Sequence, residues 1–486
     1  MFGFHLQYEG PRIFREANNL KSAVEQIDIL KNKIQKELDN SRCSGPFTEP
    51  PFPNLQVSPL GLVPKKEPNE YRVIHHLSFP EGSSINDGIS PEYSTVSYQT
   101  IDHAIQLMKT YGRGSLLAKT DIESAFRLIP IHPEDYELLG FKIEGHYYFD
   151  RVLPMGCSIS CRLFEAFSSA IHLILEHKFN VAGVVHVLDD FLFVGPPNTE
   201  KCLTDLTTFL QFCSDTAIPI KQSKTEFPTT CLTFLGIELD SVAMVARLPM
   251  DKLEKMRDCV KLFSRCRKVT LKELQSLIGL LNFACRVVLP GRPFLRRLID
   301  LTCGLTKPHH HRRLNKEARA DLAAWGLFLD YFNGTFMFLS DKWETSAHLQ
   351  FYTVASNVGF AWMYGKWPSE WESFHITVKE FFAVVLALEI WGPSLLNRCI
   401  IFHCDNHAVV DIINKQTSKD KILMRLVRRF VVTALKLNIL FTSQHIPGKC
   451  NTLSDHLSRL QVDSFRQLAP HMEAHPTSIP PQFMYV

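Results

Sequence analysis

The stretch HVLDDFLFVG, residues 186–195, decides how this chain is read. Two carboxylates, Asp189 and Asp190, stand between the apolar runs 184–187 and 191–194. The pattern predicts a strand, a turn and a second strand over 183–193. A further strand, 116–121, ends on Asp121. If these strands are neighbours in one sheet, three carboxylates converge. Like charges make such a cluster costly unless cations neutralise it. Two Mg²⁺ ions about 3.5–4 Å apart would do so and would serve in-line phosphoryl or nucleotidyl transfer. Each acid alone also has a plainer reading: Asp121 as a helix N-cap, Asp189 and Asp190 as an ordinary hairpin turn.

Working outward, residues 116–240 alternate strands with helices. Upstream, 101–111 reads as a helix and 57–66 with 70–77 as a hairpin. The proline-rich 44–53 reads as a linker or extended arm. Residues 18–40 show an amphipathic helical stripe through Leu20, Val24, Ile27, Leu30, Ile34 and Leu38. Downstream, 232–239 reads as a strand, and 246–300 is helical and basic. A second alternation begins near 347, with strands expected at 349–355, 359–364 and 399–404. Helices are expected at 377–391, 408–415 and 421–438. The tail 466–486 carries four prolines and no periodicity, so disorder is expected there.

The words around the acidic hairpin carry a resemblance. LAKTDIESAFRLIPI (117–131), LPMGCSISCRLFE (153–165), HVLDDFLFVG, KQSKTEF (221–227) and FLGIELD (234–240) resemble, in order and spacing, the palm motifs of reverse transcriptases. VSPLGLVPKK and YRVIHHLS resemble the fingers. The wording is most similar to retrotransposons that pair a reverse transcriptase with a tyrosine recombinase, the DIRS/Ngaro group, over roughly 45–465. The implied fold is α/β (α+β): a right-hand polymerase of fingers, palm and helical thumb, followed by an RNase H-like α/β domain. The expected divisions are an N-terminal helical extension (1–45), fingers and palm (46–245), thumb and connection (246–335), RNase H-like domain (336–465) and tail (466–486).

The resemblance implies roles. Asp121 and Asp189 would hold two Mg²⁺, or Mn²⁺ in its place, with Asp190 supporting the site or ligating weakly. Phe126 would be a steric gate against a ribose 2′-hydroxyl, a rigid ring under the sugar; its plainer reading is core packing. Lys65 and Arg72 would clamp the triphosphate of a deoxynucleotide. Gly156 would line the substrate site, and Lys224 would protonate pyrophosphate. In the second alternation Glu380, Asp405 and Asp455 would form the acidic ring of a two-metal hydrolase, with His445 aiding proton transfer or product release. Expected partners are an RNA template, a DNA primer, their RNA–DNA duplex, deoxynucleoside triphosphates and other products of the same element.

The chain also departs from the family. Val354 stands where the first RNase H strand normally carries aspartate, and valine cannot ligate a cation. Weak or absent RNase H activity is therefore expected. Val187, His76 and Met155 are smaller departures, none removing a metal ligand. Two other readings stay open: a decayed or host-retained copy that only binds duplex, and a metal-dependent nuclease, which Val354 disfavours.

Composition fits this picture once resolved by segment. The net charge of +3 over 486 residues argues naively against a nucleic-acid partner. Yet 121–150 holds seven acidic and two basic residues, 251–300 five and twelve, and 411–440 two and seven. An acidic pocket flanked by basic helical surfaces gives the same total. Thirteen cysteines without a CxxC pair read as reduced thiols. His309–His311 with Arg312 and Arg313 reads as a solvated basic linker. Neither a signal peptide nor an apolar run of about 20 residues is visible, so no membrane span is expected. Nor is there a zinc knuckle, aspartic protease motif, integrase or recombinase set, so the chain reads as one part of an element. The expected location is cytoplasmic, nuclear or both.

Overall fold

A computed structural model of the chain describes residues 3–65, 70–332, 335–339, 342–344, 359–360, 365–366, 371, 373–447 and 452–470. The expected strand 349–355, with Val354, lies outside the described residues, as do 361–364 and 471–486. The chain divides into two compact units, Met1–Leu235 and Gly236–Val486.

In the first unit, helix α1 (Ile27–Asp39) follows from the amphipathic stripe. Leu30 and Ile34 face inward, and Asp28 and Lys36 sit at the ends where the helix dipole favours them. Its apolar face closes a core with Leu60 and Leu62 of β1 (Leu60–Pro64), Val73 of β2 (Tyr71–His75), Phe141 and Ile143. Strands β1 and β2 form the expected antiparallel hairpin. Ala23, Leu30, Ile34 and Cys43, within the expected N-terminal extension, belong to this core. Of the two readings of the 44–53 arm, linker or extended arm, its start is extended: Cys43–Phe47 is a strand paired with His146–Asp150. It lies at the edge of its sheet, where Pro46 costs no ladder bond.

The centre of this unit is built by α2 (Ile101–Tyr111), β3 (Leu116–Asp121), α3 (Ser160–Phe179), β4 (Val184–Val187), β5 (Asp190–Gly195), α4 (Lys201–Asp215) and β6 (Glu226–Thr229). The sheet runs β6–β3–β5–β4, all antiparallel. Phe191 and Phe193 of β5 pack on Phe209 of α4 at ring separations of 4.8 and 5.4 Å. That burial fixes which face of the hairpin is inward, and so where its turn points.

In the second unit the strands Ile237–Asp240 and Val245–Arg247 precede the helices α5 (Met250–Arg265), α6 (Leu271–Ala284) and α7 (Lys316–Phe332). The expected apolar strand 232–239 is broken by left-handed backbone at Leu235 and Gly236. His311–Arg313 is a short strand on Lys268–Thr270 rather than a plain linker. Then come α8 (Ile376–Trp391), β7 (Cys399–Cys404), α9 (His407–Lys415), α10 (Lys421–Lys436), β8 (Leu440–His445), α11 (Thr452–Ser458) and α12 (Val462–Leu468). Strands β7 and β8 are parallel, with Cys404 opposite His445. Helix α8 buries residues on nearly every face, so it is a core element. Helix α12 carries order past residue 465, to Leu468. Among the described residues no helix is long and apolar enough to cross a membrane.

The basic segments behave differently from each other. Lys255, Lys261, Arg265, Arg267, Lys268 and Lys272 are exposed. On α10, by contrast, two arginines are spent inside. Arg428 binds the fully buried Asp321 at 2.8 Å, and Arg429 binds Glu389, Nε to Oε1 at 2.6 Å. The local excess of 411–440 is therefore only partly a surface charge.

Candidate active site

Antiparallel pairing of β3 with β5 puts Asp190 opposite Asp121, the last residue of one strand against the first of the other. The Ile122 N–H donates to the Asp189 carbonyl at 3.0 Å, so the turn is tied to the strand end beside it. Asp121, Asp189 and Asp190 thus converge. Asp121 is buried, and Lys224 is in direct ion contact with it.

The electrostatics show the strain of this convergence. Burial, then the charge of Asp121, raises the pKa of Asp189. Burial, then Asp189 and Asp121, pushes Asp190 up to about 6. Burial opposes the charge of Lys224, but Asp121, with Asp190 and Asp189, outweighs it and raises its pKa. Three carboxylates against one ammonium leave a site short of positive charge. An all-oxygen donor set of this kind fits Mg²⁺ or Mn²⁺.

The hairpin is also held from behind. Glu165 of α3 accepts the Leu188 N–H at 2.8 Å through Oε2, and its Oε1 lies 3.3 Å from His186 Nε2. Leu188 has φ +54°, a left-handed conformation unfavourable for leucine. His186 Nδ1 meets His172 Nδ1 at 2.8 Å, and the His186 N–H donates to Gln99. Sequence reading missed Glu165. Its signal was an acid inside the apolar run RLFEAF, on a helix face that only packing identifies as buried.

Of the other expected residues, Arg72 is the one whose charge acts on these carboxylates. Phe126 lies on the turn Ala125–Leu128, half-buried, its ring edge-on to Phe164 at 5.4 Å. Arg72 is exposed, and its charge reaches Asp189. Lys65 is exposed and pairs with Glu70 at 2.6 Å. Both cations line a cleft of about 470 Å³ with Ser124, Arg127, Pro154 and Met155. Gly156 has φ +119°, and a Cβ there would collide with the His75 carbonyl oxygen. Its glycine is a backbone requirement as much as a pocket feature.

In the second unit Glu380, Asp405 and His445 come together. Asn406 donates to Glu380, and burial, then Asp405, pushes Glu380 up to about 7 although that bond opposes the rise. His445 Nε2 is 3.2 Å from the Asp405 carbonyl oxygen, and its ring stacks on His407 at 3.6 Å. Asn406 and His407 were not anticipated from the sequence. Asp455 falls on α11 by backbone position.

Residues 63–239 match the family model described as reverse transcriptase (RNA-dependent DNA polymerase). That segment therefore resembles a reverse transcriptase domain. The chain is 25% identical over 220 residues to the Gag-Pro-Pol polyprotein of Mason-Pfizer monkey virus, covering 43% of this chain and 12% of that protein. It is 25% identical over 271 residues to the Gag-Pol polyprotein of Walleye dermal sarcoma virus, covering 56% and 14%. With Protein P of Duck hepatitis B virus (strain China), the figures are 25% over 234 residues, 48% and 28%. The chain therefore spans less than a third of these relatives' length. Among solved structures, the foamy viral protease-reverse transcriptase dRH in complex with double-stranded DNA matches with a TM-score of 0.53 at 17% identity, over 91% of this chain and 75% of that one. The foamy viral protease-reverse transcriptase with an RNA/DNA hybrid gives 0.51 at 16%, over 91% and 57%. These matches show the fold: a polymerase fold followed by another domain. The segment that matches the reverse transcriptase family is the one built around the acidic hairpin.

Proposed function

We propose that the chain is an RNA-directed DNA polymerase of a retrotransposon, acting on an RNA template, a DNA primer and deoxynucleoside triphosphates. The observation that carries this is the pairing of Asp190 with Asp121, which brings three carboxylates together beside an exposed Arg72 and the Phe126 turn. The primer 3′-hydroxyl attacks the α-phosphate, a P–O bond forms, and pyrophosphate leaves. Asp121 and Asp189 would hold the divalent cations, with Asp190 in support. Divalent cations, if held there, would supply a lowered pKa for the attacking hydroxyl and charge stabilisation for the leaving oxygens. Arg72 and Lys65 bind the triphosphate, for which Lys65 exchanges its partner Glu70. Lys224 neutralises Asp121 at rest and is placed to give a proton to pyrophosphate. The Phe126 ring, braced by Phe164, occupies the space a 2′-hydroxyl would need. The exposed cations of 255–272 suit duplex phosphates, which they would grip without reading sequence.

Primer extension on an RNA template with Mg²⁺ tests the reading. Incorporation that Asp189→Asn abolishes supports it; absent incorporation, or activity surviving Asp189→Asn, overturns it. Removing one preorganised electrostatic partner costs on the order of 10²–10³-fold in rate.

The second unit reads as RNase H-like, from the Glu380–Asp405–His445 cluster. With Val354 unable to ligate a cation, hydrolysis of hybrid RNA is weak, and Val354→Asp raises it. Robust cleavage by the unaltered chain would sink this. The wording of the motifs favours an element of the DIRS/Ngaro kind, working in the cytoplasm, the nucleus or both.

A further inference from the structure

One buried charge in the first unit has no part in the chemistry above. Arg127 directly follows Phe126, and its side chain is 14% exposed. Its Nε donates to Glu37 Oε2 at 2.8 Å, its Nη2 to Asp150 Oδ1 at 2.6 Å, and its Nη1 reaches the Leu153 carbonyl at 3.4 Å. Asp150 is buried and turns its other oxygen to His75 Nδ1 at 3.2 Å. His75 donates its backbone N–H to the Met155 carbonyl at 3.2 Å. Glu37 also lies 3.8 Å from Arg42, whose Nη1 is 3.3 Å from Ser124 Oγ.

Three stretches far apart in sequence meet on this one guanidinium: α1, the Ser124–Arg127 turn and the segment from Asp150 to Gly156. All of them line the 470 Å³ cleft that Lys65 and Arg72 border. A buried ion network of this kind adds little net stability over an apolar replacement. What it does is fix geometry, because a planar five-donor group accepts its partners only in set directions. Here the geometry fixed is that of the turn carrying Phe126 relative to the cleft. Ser124 and Ala125, at φ +66° and +28°, would not hold that turn by backbone preference alone.

We propose that Arg127 is a positioning residue for sugar selection: clamped by Glu37 and Asp150, it holds the Phe126 ring where it rejects ribonucleotides. The proposal rests on the polymerase reading. It makes α1, through Glu37, a part of nucleotide selection rather than only a cover for the hairpin core.

The test is single-nucleotide incorporation on an RNA template, with deoxynucleotide and ribonucleotide compared on the same preparation. The ratio of the two kcat/KM values cancels any unfolded fraction. Glu37→Ala is expected to lower discrimination about tenfold, a coupling of ordinary size for contacting residues. Glu37→Gln keeps the acceptor for Nε and is expected to stay within about threefold of the parent. Phe126→Ala alone abolishes most of the discrimination, and adding Glu37→Ala to it lowers the ratio no further. If Glu37→Ala fails to fold, Arg127→Lys, which can keep Asp150, carries the same expectation. An unchanged ratio in these variants, or losses that add in the double variant, overturns the proposal while leaving the polymerase intact. A parent chain that incorporates neither nucleotide overturns the polymerase reading itself, and this one with it.

Discussion

Replacing Glu165 by alanine should loosen the acidic turn without touching any of the carboxylates proposed to hold metal. Two contacts disappear: Oε2 to the Leu188 N–H at 2.8 Å, and Oε1 to His186 Nε2 at 3.3 Å. The stranded N–H costs about 1–3 kcal/mol. Left-handed backbone at Leu188 costs a further ~1–2 kcal/mol that the hydrogen bond now offsets. Without it the turn has reason to relax, and Asp189 follows directly after Leu188. If relaxation removes about 1.4 kcal/mol from the binding geometry, cation affinity falls about tenfold. That is the low end of the ~10–100-fold seen when outer-sphere partners of metal ligands are lost.

The assay is the initial rate of primer extension as a function of Mg²⁺. Glu165→Ala should move the Mg²⁺ midpoint up by about tenfold, with the rate at saturation within about threefold of the parent. Glu165→Gln retains an oxygen acceptor for Leu188 and should keep the midpoint. A destabilised fold alone lowers the amplitude at every Mg²⁺ concentration and leaves the midpoint in place. An unshifted midpoint in Glu165→Ala therefore refutes the idea that this carboxylate positions the turn.

Two further outcomes follow from the geometry. Gly156→Ala meets the His75 carbonyl and a φ of +119°, so it should cost at least about 3 kcal/mol, combining overpacking with backbone strain, and lower the denaturant midpoint of the full chain. Glu380 has a pKa of about 7, above its ordinary 4.5, so the stability of its neutral form is present at low pH and lost as pH rises through about 7. In chelator the full chain should melt lower at pH about 8 than about 6, Mg²⁺ should recover more at the higher pH, and Glu380→Gln should remove that difference. Asp190, raised to about 6, acts with the same sign in a lower window, and the Glu380→Gln comparison separates the two.

The acidic hairpin was legible because two physical signals agree there: uninterrupted apolar runs, and a carboxylate pair where the chain must turn. Its partner Asp121 was legible only as a strand end. That Asp190 stands opposite it is a matter of register, which hydrophobic patterning constrains but does not name. Glu165 and Arg127 were illegible for a different reason. Each is a lone charge whose role depends on burial, and burial is set by elements up to 90 residues away, as with Arg127 and Glu37. The stripe of α1 announced a helix but not what it covers. The proline-rich arm was legible only in part, because Pro46 argues against a central strand, while the chain places it on an edge. Charge counting failed on α10, where Arg428 and Arg429 are answered internally by Asp321 and Glu389.

The charges at the site nevertheless balance in a way that the whole-chain value of +3 conceals. Asp121, Asp189 and Asp190, with Lys224 as the cation in direct contact, leave the resting site with an excess of about two negative charges. Burial first, and then that excess, raises the pKa values of Asp189 and Asp190. Two divalent cations would reverse its sign and leave it short of negative charge by a similar amount. A bound nucleoside triphosphate brings about four negative charges, of which two answer the metals' surplus. The other two need cations from the protein, and Arg72 and Lys65 border the cleft beside it. Lys65 can serve only by leaving Glu70, so its resting ion pair sets a cost that the incoming triphosphate must exceed. The pair is exposed, which keeps that cost small and lets the same lysine return to Glu70 once pyrophosphate departs.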